Sequence, residues 1–392
     1  TVWLEPLPAP HIESLRLLPD LRSGALEVEV DAEAGPVELD VTLDGRSAGR
    51  WRGAPGRGRI ALDPVVAWSP EQPVLYELVA RLPESGDAVA SYFGLRTVDT
   101  RDGRFLLNGE PYVQRLVLDQ GYFPGGLLTA PTDDHLRRDI ESARALGFNG
   151  ARKHQKVEDP RWLYWADWLA FLVWDEMPNF QQHSAEAERR LAAEWAAVVR
   201  RDRDHPSVVA WVPMNESFGI RPTPDDATRS RFLVELYRLT HQLDGTRPVS
   251  GDDGWEHALT DLLTLHDYGP PADLAARYRN LGTTLEPSGR PFPPYLPGFG
   301  YRGEPVIVSE FGGVAFADRG WGYSAVRSPD DLLRTYGAMV AALMGPGPVE
   351  GFCYTQLTDV EQEQNGLLTF DRRPKIDPGR LRSLTQAPKH RD

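Results

Sequence analysis

Cysteine is almost missing: Cys353 is the single one in 392 residues. That excludes a disulfide within the chain and any metal site built from several cysteines. It does not assign a compartment, because many exported proteins lack cysteine too. No secretory leader is recognisable at Thr1, and the cytoplasm is slightly favoured. Long hydrophobic runs are missing as well. Nowhere do about 18 apolar residues follow one another, so nothing reads as a membrane span. Basic residues are in deficit, 43 Lys and Arg against 57 Asp and Glu, for a net charge of −14. A field of that sign repels a phosphate backbone and argues against a nucleic-acid partner. What is present is an ordinary globular mix, 41% hydrophobic and 26% charged, long enough for two or three domains.

Two textures divide the chain. Up to about Gly94 the sequence reads as short alternating strands. Leu26, Val28 and Val30 alternate with polar neighbours, and so do Val37, Leu39, Val41 and Leu43, which run into the turn signal Asp44-Gly45. With Arg59–Leu62, Val74–Leu82 and Ala88–Arg96, about six strands predict a small antiparallel sandwich of the immunoglobulin type. From Leu95 onward, apolar runs alternate with helical patterns. Strands are predicted at Tyr112–Leu118, Phe148–Arg152, Phe171–Trp174, Val208–Pro213, Val249–Gly251, Leu262–His266, Val306–Ser309 and Val349–Tyr354. Helices are predicted at Asp133–Leu146, Pro160–Leu169, Ala185–Asp202, Thr228–Leu243 and Pro329–Leu343. Eight such units over about 300 residues match a (β/α)₈ TIM barrel. A doubly wound sheet would alternate in the same way, but no glycine-rich phosphate loop follows the first strand. The Pro- and Gly-rich stretch Pro287–Gly303 reads as a long surface loop before strand seven. The expected domains are thus 1–10 as a linker or tail, 11–94 as the sandwich and 95–392 as the barrel.

Catalytic groups of such barrels sit at the C-terminal ends of the strands. The eight ends carry Asp119-Gln120, the run Arg152 to Lys156 with His154 inside it, Asp175-Glu176, Asn215-Glu216, Asp252-Asp253 with Trp255 nearby, His266-Asp267-Tyr268, Glu310, and Gln356 with Asp359 and Glu361 beyond. One charged strand end means little; eight in a row exceed what solubility requires. Glu216, after Val208 to Asn215, and Glu310, after Pro305 to Ser309, stand on strands four and seven. Those strands face each other across a barrel, so the two long side chains can converge over its axis. Such a pair fits a retaining glycosidase, in which one carboxylic acid protonates the leaving oxygen and the other carboxylate attacks the anomeric carbon, at a separation of ~5–5.5 Å.

The chain resembles glycoside hydrolase family 2, the group of β-galactosidases, β-glucuronidases and β-mannosidases. Phe93-Gly94-Leu95-Arg96 and Phe105-Leu106-Leu107-Asn108-Gly109 look like that family's sandwich–barrel junction. Asp139-Ile140 through Arg152 is similar to the second barrel unit, and Ala166-Asp167 through Glu176 to the third. Trp211 through Glu216 resembles the acid/base signature, and Ser309-Glu310-Phe311-Gly312 the nucleophile signature. The resemblance implies Glu216 as acid/base, Glu310 as nucleophile, and Asn215 as a ligand of the sugar 2-hydroxyl. His154, His266 and Tyr268 would line the subsite, with Tyr268 holding Glu310 ionised. Asp175 and Glu176 are equally open to substrate contact and to support of neighbouring groups. Thr1 to Glu5 resembles the tail of the jelly-roll domain that precedes the sandwich, so the chain is expected to be a fragment lacking that domain.

The chain departs from the galactosidase pattern at the ends of strands one, two and eight. There Leu118-Asp119-Gln120, Lys153-His154-Gln155-Lys156 and Tyr354-Thr355-Gln356-Leu357 replace a His, a Ser-His-Tyr-Pro-like run and a Trp platform. These departures bear on the sugar, which can be a galactoside, glucuronide, mannoside or arabinoside. Arg152 looks like a residue that supports the nucleophile. Lys153 and Lys156 either meet a sugar carboxylate, which predicts a preference for acidic glycosides, or pair with Glu158 and Asp159. The expected partner is a carbohydrate substrate, no cofactor or metal is expected, and assembly of identical copies is left open. Two rivals remain. One is a catalytically silent carbohydrate-binding protein on this scaffold, which predicts that Glu216 or Glu310 lacks its partners. The other is a metal-dependent hydrolase using His154, His266 and Asp252, although no His-x-His or His-Glu-x-x-His spacing occurs.

Overall fold

The computed structural model describes residues 4–221, 225–317 and 319–390. The first three residues of the expected tail, Thr1, Val2 and Trp3, lie outside them. The chain separates into two compact units. One runs to Thr97 and includes Arg203–Pro206; the other holds Val98–Asp202 and the described residues from Ser207 onward.

The first unit contains β1 (Ile12–Asp20), β2 (Ala25–Ala32), β3 (Val37–Leu43), β4 (Arg46–Gly53), β5 (Gly56–Ala61), β6 (Tyr76–Leu82) and β7 (Asp87–Phe93). They form two antiparallel sheets, in the orders β1-β2-β5 and β4-β3-β6-β7. Residues one apart on a strand face opposite sides. Leu26, Val28 and Val30 of one sheet and Leu39, Val41, Leu78 and Ala80 of the other therefore enter one apolar cluster. The strands number seven rather than six. β4 escapes a periodicity search because Ala48 is its single buried residue; pairing along β3 makes it a strand.

The second unit opens with a small antiparallel sheet of β8 (Val98–Arg101), β9 (Arg104–Leu107) and β10 (Glu110–Pro111). Strands and helices then alternate: β11 (Gln114–Asp119), α1 (Asp133–Ala145), β12 (Gly150–Lys153), α2 (Pro160–Trp168), β13 (Leu172–Glu176), α3 (Ala185–Asp202), β14 (Val208–Val212), α4 (Asp226–Leu243), β15 (Leu263–Asp267), α5 (Pro271–Arg277), α6 (Leu281–Leu285), β16 (Val306–Gly312), β17 (Val314–Ala315), β18 (Ser324–Ala325), α7 (Pro329–Met344), β19 (Val349–Thr355) and α8 (Pro378–Thr385). The helices start where side chains satisfy their free N–H groups: Asp159, Asp225, Ser328 and Asp377 each accept from the first turn. Thr132 caps α1 by backbone conformation alone, its hydroxyl bonding His135 instead. α5, α6 and α8 are short additions that the pattern did not signal.

Seven parallel strands curl in the order β14-β13-β12-β11-β19-β16-β15. The predicted fifth strand, Val249–Gly251, does not form as a ladder. It is reduced to the isolated parallel bridges Trp211↔Val249 and Asn215↔Asp253 on the β14 side. On the β15 side it is tied by Ser250 Oγ to Thr264 Oγ1 at 2.9 Å and by His266 N to Gly254 O at 3.3 Å. Ser250-Gly251-Asp252-Asp253-Gly254 is poor in strand formers, and its backbone amides turn to side chains for part of their bonding. The stretch Pro287–Gly303 carries no regular element. It is anchored by the bonds Glu256 N to Pro293 O and His257 N to Pro294 O and by buried Leu296.

Strand parity decides what each strand end delivers. Val117, Ala151 and Val173 pack into the apolar layer beneath the helices. Their neighbours one residue on, Leu118, Arg152 and Trp174, therefore face the barrel interior. Counting onward, Arg152 and Glu176 point in, whereas Asp119, Lys153 and Asp175 point out.

Candidate active site

Glu216 and Glu310 meet at the mouth. One carboxylate oxygen of each lies within 4.8 Å of the other and of a ring nitrogen of His266. Both strands that carry the interacting groups lose regular register there, between Leu265 and His266 and between Val308 and Phe311. Irregularities of this kind re-aim side chains beside functional sites.

The two carboxylates differ in surroundings. The Glu310 side chain is 6% exposed and that of Glu216 25%. Glu310 accepts from Arg152 Nη1 at 2.9 Å and from the Tyr268 hydroxyl, with His266 Nε2 at 3.5 Å and His154 Nδ1 at 3.8 Å. Burial alone would raise its pKa, but the charges of His266, Arg152 and His154, with the Tyr268 hydrogen bond, hold it down at about 2. Tyr268 in turn stacks on Tyr323, with ring centroids 3.4 Å apart.

Glu216 sits on a turn with φ +57°, followed by Ser217 at +51°. Two successive non-glycine residues in the left-handed region cost of order 1–3 kcal/mol each and persist only where the surroundings impose them. Here Glu216 N donates to Asp253 O at 2.8 Å, and Ser217 donates from N and Oγ to the Asp252 carboxylate at 2.9 and 2.5 Å. Burial pushes Asp252 up to about 7. The Glu216 carboxylate receives His266 Nδ1 at 2.7 Å.

Arg152 is the hub. Fully buried, it donates from Nε to Glu176 at 2.6 Å, from Nη1 to Glu310 and to Ser309 O at 2.9 and 3.0 Å, and from Nη2 to Asn215 Oδ1 at 2.8 Å; Asp253 lies 3.0 Å away. A planar guanidinium can hold this many acceptors at fixed angles. Asn215 is thereby oriented with its amide nitrogen unbound among the described residues. His154 faces Glu176 through Nδ1 at 3.1 Å, with Arg152 Nη2 2.9 Å from the same nitrogen, and its Nε2 has no partner among the described residues. Trp255 lies beside His266 with ring centroids 5.3 Å apart. Gln356 is buried at the rim, bonded by Gln120 at 3.0 Å and donating to Asn365 at 2.8 Å.

Several sequence candidates are placed otherwise. Glu176 is fully buried under Arg152, His154 and the Gln155 amide, so it supports those groups and has no free oxygen for a ligand. Asp175 faces outward, away from the site. Burial and the neighbouring Asp202 carboxyl raise its pKa well above the usual carboxylate range. Lys153 is 1% exposed and pairs with Asp119 at 2.6 Å and Glu158 at 2.7 Å, while its ammonium lies 4.7 Å from the Trp162 ring centroid. Lys156 bonds Glu158 at 3.0 Å and Gly121 O at 2.7 Å. Both ammonium groups are thus engaged by protein partners. Pairing with Glu158 is what occurs; Asp159 pairs with Arg161 instead. Asp253, Asn179 and Tyr323 join the site without having been singled out as ligands or supports. Asn179 clamps Asn215 through its backbone N and O. Asp253 was legible only as one of two adjacent acids; it turns inward because its segment forms no regular ladder.

Among the described residues, the three named as possible cation ligands do not form a cluster. His154, His266 and Asp252 are not brought together, because Asp252 is bound to Ser217. Glu216, His266 and Glu310 are close enough to share an ion, but both ring nitrogens of His266 are taken by the carboxylates of Glu216 and Asp253.

Residues 98–322 match the family described as "Glycosyl hydrolases family 2, TIM barrel domain". The chain belongs to glycoside hydrolase family 2. Over 221 residues, 54% of this chain, it is 31% identical to a β-galactosidase of Thermoanaerobacter pseudethanolicus, covering 28% of that protein. It spans between 20% and 28% of the length of the first three curated relatives it matches. Its fold is similar to that of a β-D-glucuronidase from Dictyoglomus thermophilum, with a TM-score of 0.81 at 18% identity over 97% of this chain and 70% of that one. A β-glucuronidase of Ruminococcus gnavus in complex with D-glucuronic acid gives 0.80 at 18% identity, over 97% and 68%. Among the described residues no helix is long and apolar enough to cross a membrane.

Proposed function

We propose that this chain carries the catalytic centre of a retaining β-glycosidase of the galactosidase and glucuronidase type. In this reading Glu310 is the nucleophile and Glu216 the acid/base. The observation that carries it is the pair itself: two carboxylates with oxygens within 4.8 Å, one held ionised by three cationic groups and a phenol, the other a quarter exposed on a turn. A nucleophile must be ionised, and an acid/base must reach both the leaving oxygen and water. The separation suits direct attack, since the inverting arrangement needs ~6.5–9.5 Å to seat a water between the carboxyl groups.

Glu310 attacks the anomeric carbon while Glu216 protonates the departing oxygen. Water, deprotonated by Glu216, then releases the sugar from Glu310. The unbound amide of Asn215 and Nε2 of His154 offer hydrogen bonds to sugar hydroxyls, and Trp255 offers an apolar face. Two antiparallel sheets of three and four strands around one core support an immunoglobulin-type sandwich for residues 11–94, with the catalytic barrel over 95–392.

The test is covalent labelling. Dinitrophenyl 2-deoxy-2-fluoro-β-D-galactoside and the matching glucuronide, incubated with the protein and followed by peptide mapping, should place the sugar on Glu310. A label on another residue, or turnover of nitrophenyl glycosides with inversion, would overturn the assignment.

A further inference from the structure

His266 is placed as no sugar ligand would be. Its Nε2 lies 2.8 Å from Asp253 Oδ2 and its Nδ1 2.7 Å from Glu216 Oε1, so Asp253, the imidazole and Glu216 form one hydrogen-bonded line. The ring is fully buried, and neither nitrogen is left for a hydroxyl. The backbone is shaped to admit it: a Cβ at Gly254, where φ is +107°, would stand 2.8 Å from the ring. The charged groups facing it are Glu216 from the end of β14, Asp253 from the segment beyond it, and Glu310 from β16 at 3.5 Å. Arg152 from β12 reaches the line through Asp253 and Glu310.

We propose that His266 stores the proton that Glu216 delivers, making it a positioning and proton-holding residue of the acid/base. The inference rests on the roles proposed above for Glu216 and Glu310. In the resting site the imidazole carries both protons, one on Asp253 and one on Glu216. As the glycosidic bond breaks, its electron pair stays on the leaving oxygen. The Nδ1 proton passes to the Glu216 carboxylate and from Glu216 to that oxygen, so the ring becomes neutral with Nε2–H still on Asp253 and Glu216 is left ionised. In the second step water gives its proton to Glu216 and its oxygen bonds the anomeric carbon. The bond to Glu310 breaks, with its pair returning to the carboxylate, and the proton passes back to Nδ1.

The charges around the ring favour this cycle. Burial works against the imidazolium, but Glu310, Asp253 and Glu216 raise its pKa to about 10, with Glu310 the strongest of the three. Glu310 loses its charge when it is glycosylated and regains it on release. The ring is therefore driven to give up its proton in the first step and to recover it in the second.

The experiment is nitrogen NMR of the protein labelled at histidine, free and trapped with dinitrophenyl 2-deoxy-2-fluoro-β-D-galactoside or its glucuronide counterpart, at pH 7.5. The expected result is an imidazolium in the free protein and a neutral ring, protonated on Nε2, in the adduct. A trapped adduct whose His266 keeps its free-state protonation overturns the proton store and leaves the Glu310 assignment standing. No adduct at all overturns the underlying glycosidase reading, and the store with it. His266→Asn keeps a donor toward Glu216 but cannot hold the proton. It should move the alkaline limb of kcat/KM to lower pH by two units or more and slow alkyl glycosides about 10²-fold or more, with dinitrophenyl glycosides little changed. An unchanged pH limb would show a purely structural role.

Discussion

Arg152 and Lys153 are neighbours on one strand, both buried and both cationic, and they belong to different systems. Arg152 faces the barrel axis and binds Glu176, Glu310 and Asp253. Lys153 faces the helices and binds Asp119 and Glu158. The same division holds on β13, where Glu176 joins the inner set and Asp175 shares its surroundings with Asp202. Two ionic layers thus run past each other at the same strand ends, offset by one residue. A charge at a strand end says little about chemistry until its parity is known.

Substitutions in the two layers should separate them. The largest effect belongs to Glu310→Ala, which should lower turnover of every glycoside by about 10⁴-fold or more without a large change in melting temperature. Arg152→Lys comes next: one ammonium cannot reproduce the fork that holds three carboxylates and Asn215, so kcat should fall about 10²-fold. Lys153→Met should do the opposite. It leaves Asp119 and Glu158 buried without their cation, costing about 3–5 kcal/mol by denaturant titration. The ratio of glucuronide to galactoside turnover should stay unchanged. A shifted ratio would put the lysine back at the mouth.

Asp175→Asn should have the smallest effect, and one that depends on pH. A carboxyl whose folded pKa is raised contributes stability below its unfolded value, about 3.9, and loses it as pH rises through the folded value. The neutral amide escapes that loss. The variant should therefore gain in melting temperature relative to the wild type between pH 5 and pH 8, with kcat/KM unaffected. A large loss of activity would place Asp175 in the inner layer.

The comparison also shows what was legible in the sequence. The helices α1, α2, α3, α4 and α7 and seven of the eight barrel strands follow from periodicity, because each buries a continuous apolar face. The fifth strand failed because its apolar core is only Val249, and Gly251 and Gly254 weaken the ladder. Glu216 and Glu310 could be found because each closes an apolar run. For Lys153, Lys156 and Asp175 the sequence left two readings open, because position at a strand end does not show which face a side chain takes. Both lysines pair with Glu158, and Asp175 faces outward. The register and the outward neighbours Ala151 and Val173 turn Lys153 and Asp175 away from the mouth, whereas Lys156 lies past the strand end, where parity does not apply. His266 was recognisable as a site residue, but its bonds to Asp253 and Glu216 depend on a bulge that no sequence pattern announces.

The opposed roles of the two glutamates are the centre of the account, and azide probes them most directly. In Glu216→Ala, an activated aryl glycoside needs no proton to leave, so the intermediate on Glu310 still forms. Azide then enters the space of the lost carboxylate and attacks the intermediate. The expected product is the glycosyl azide of retained configuration, with turnover restored. An inverted azide from Glu216→Ala, together with a retained one from Glu310→Ala, would mean that the roles are reversed.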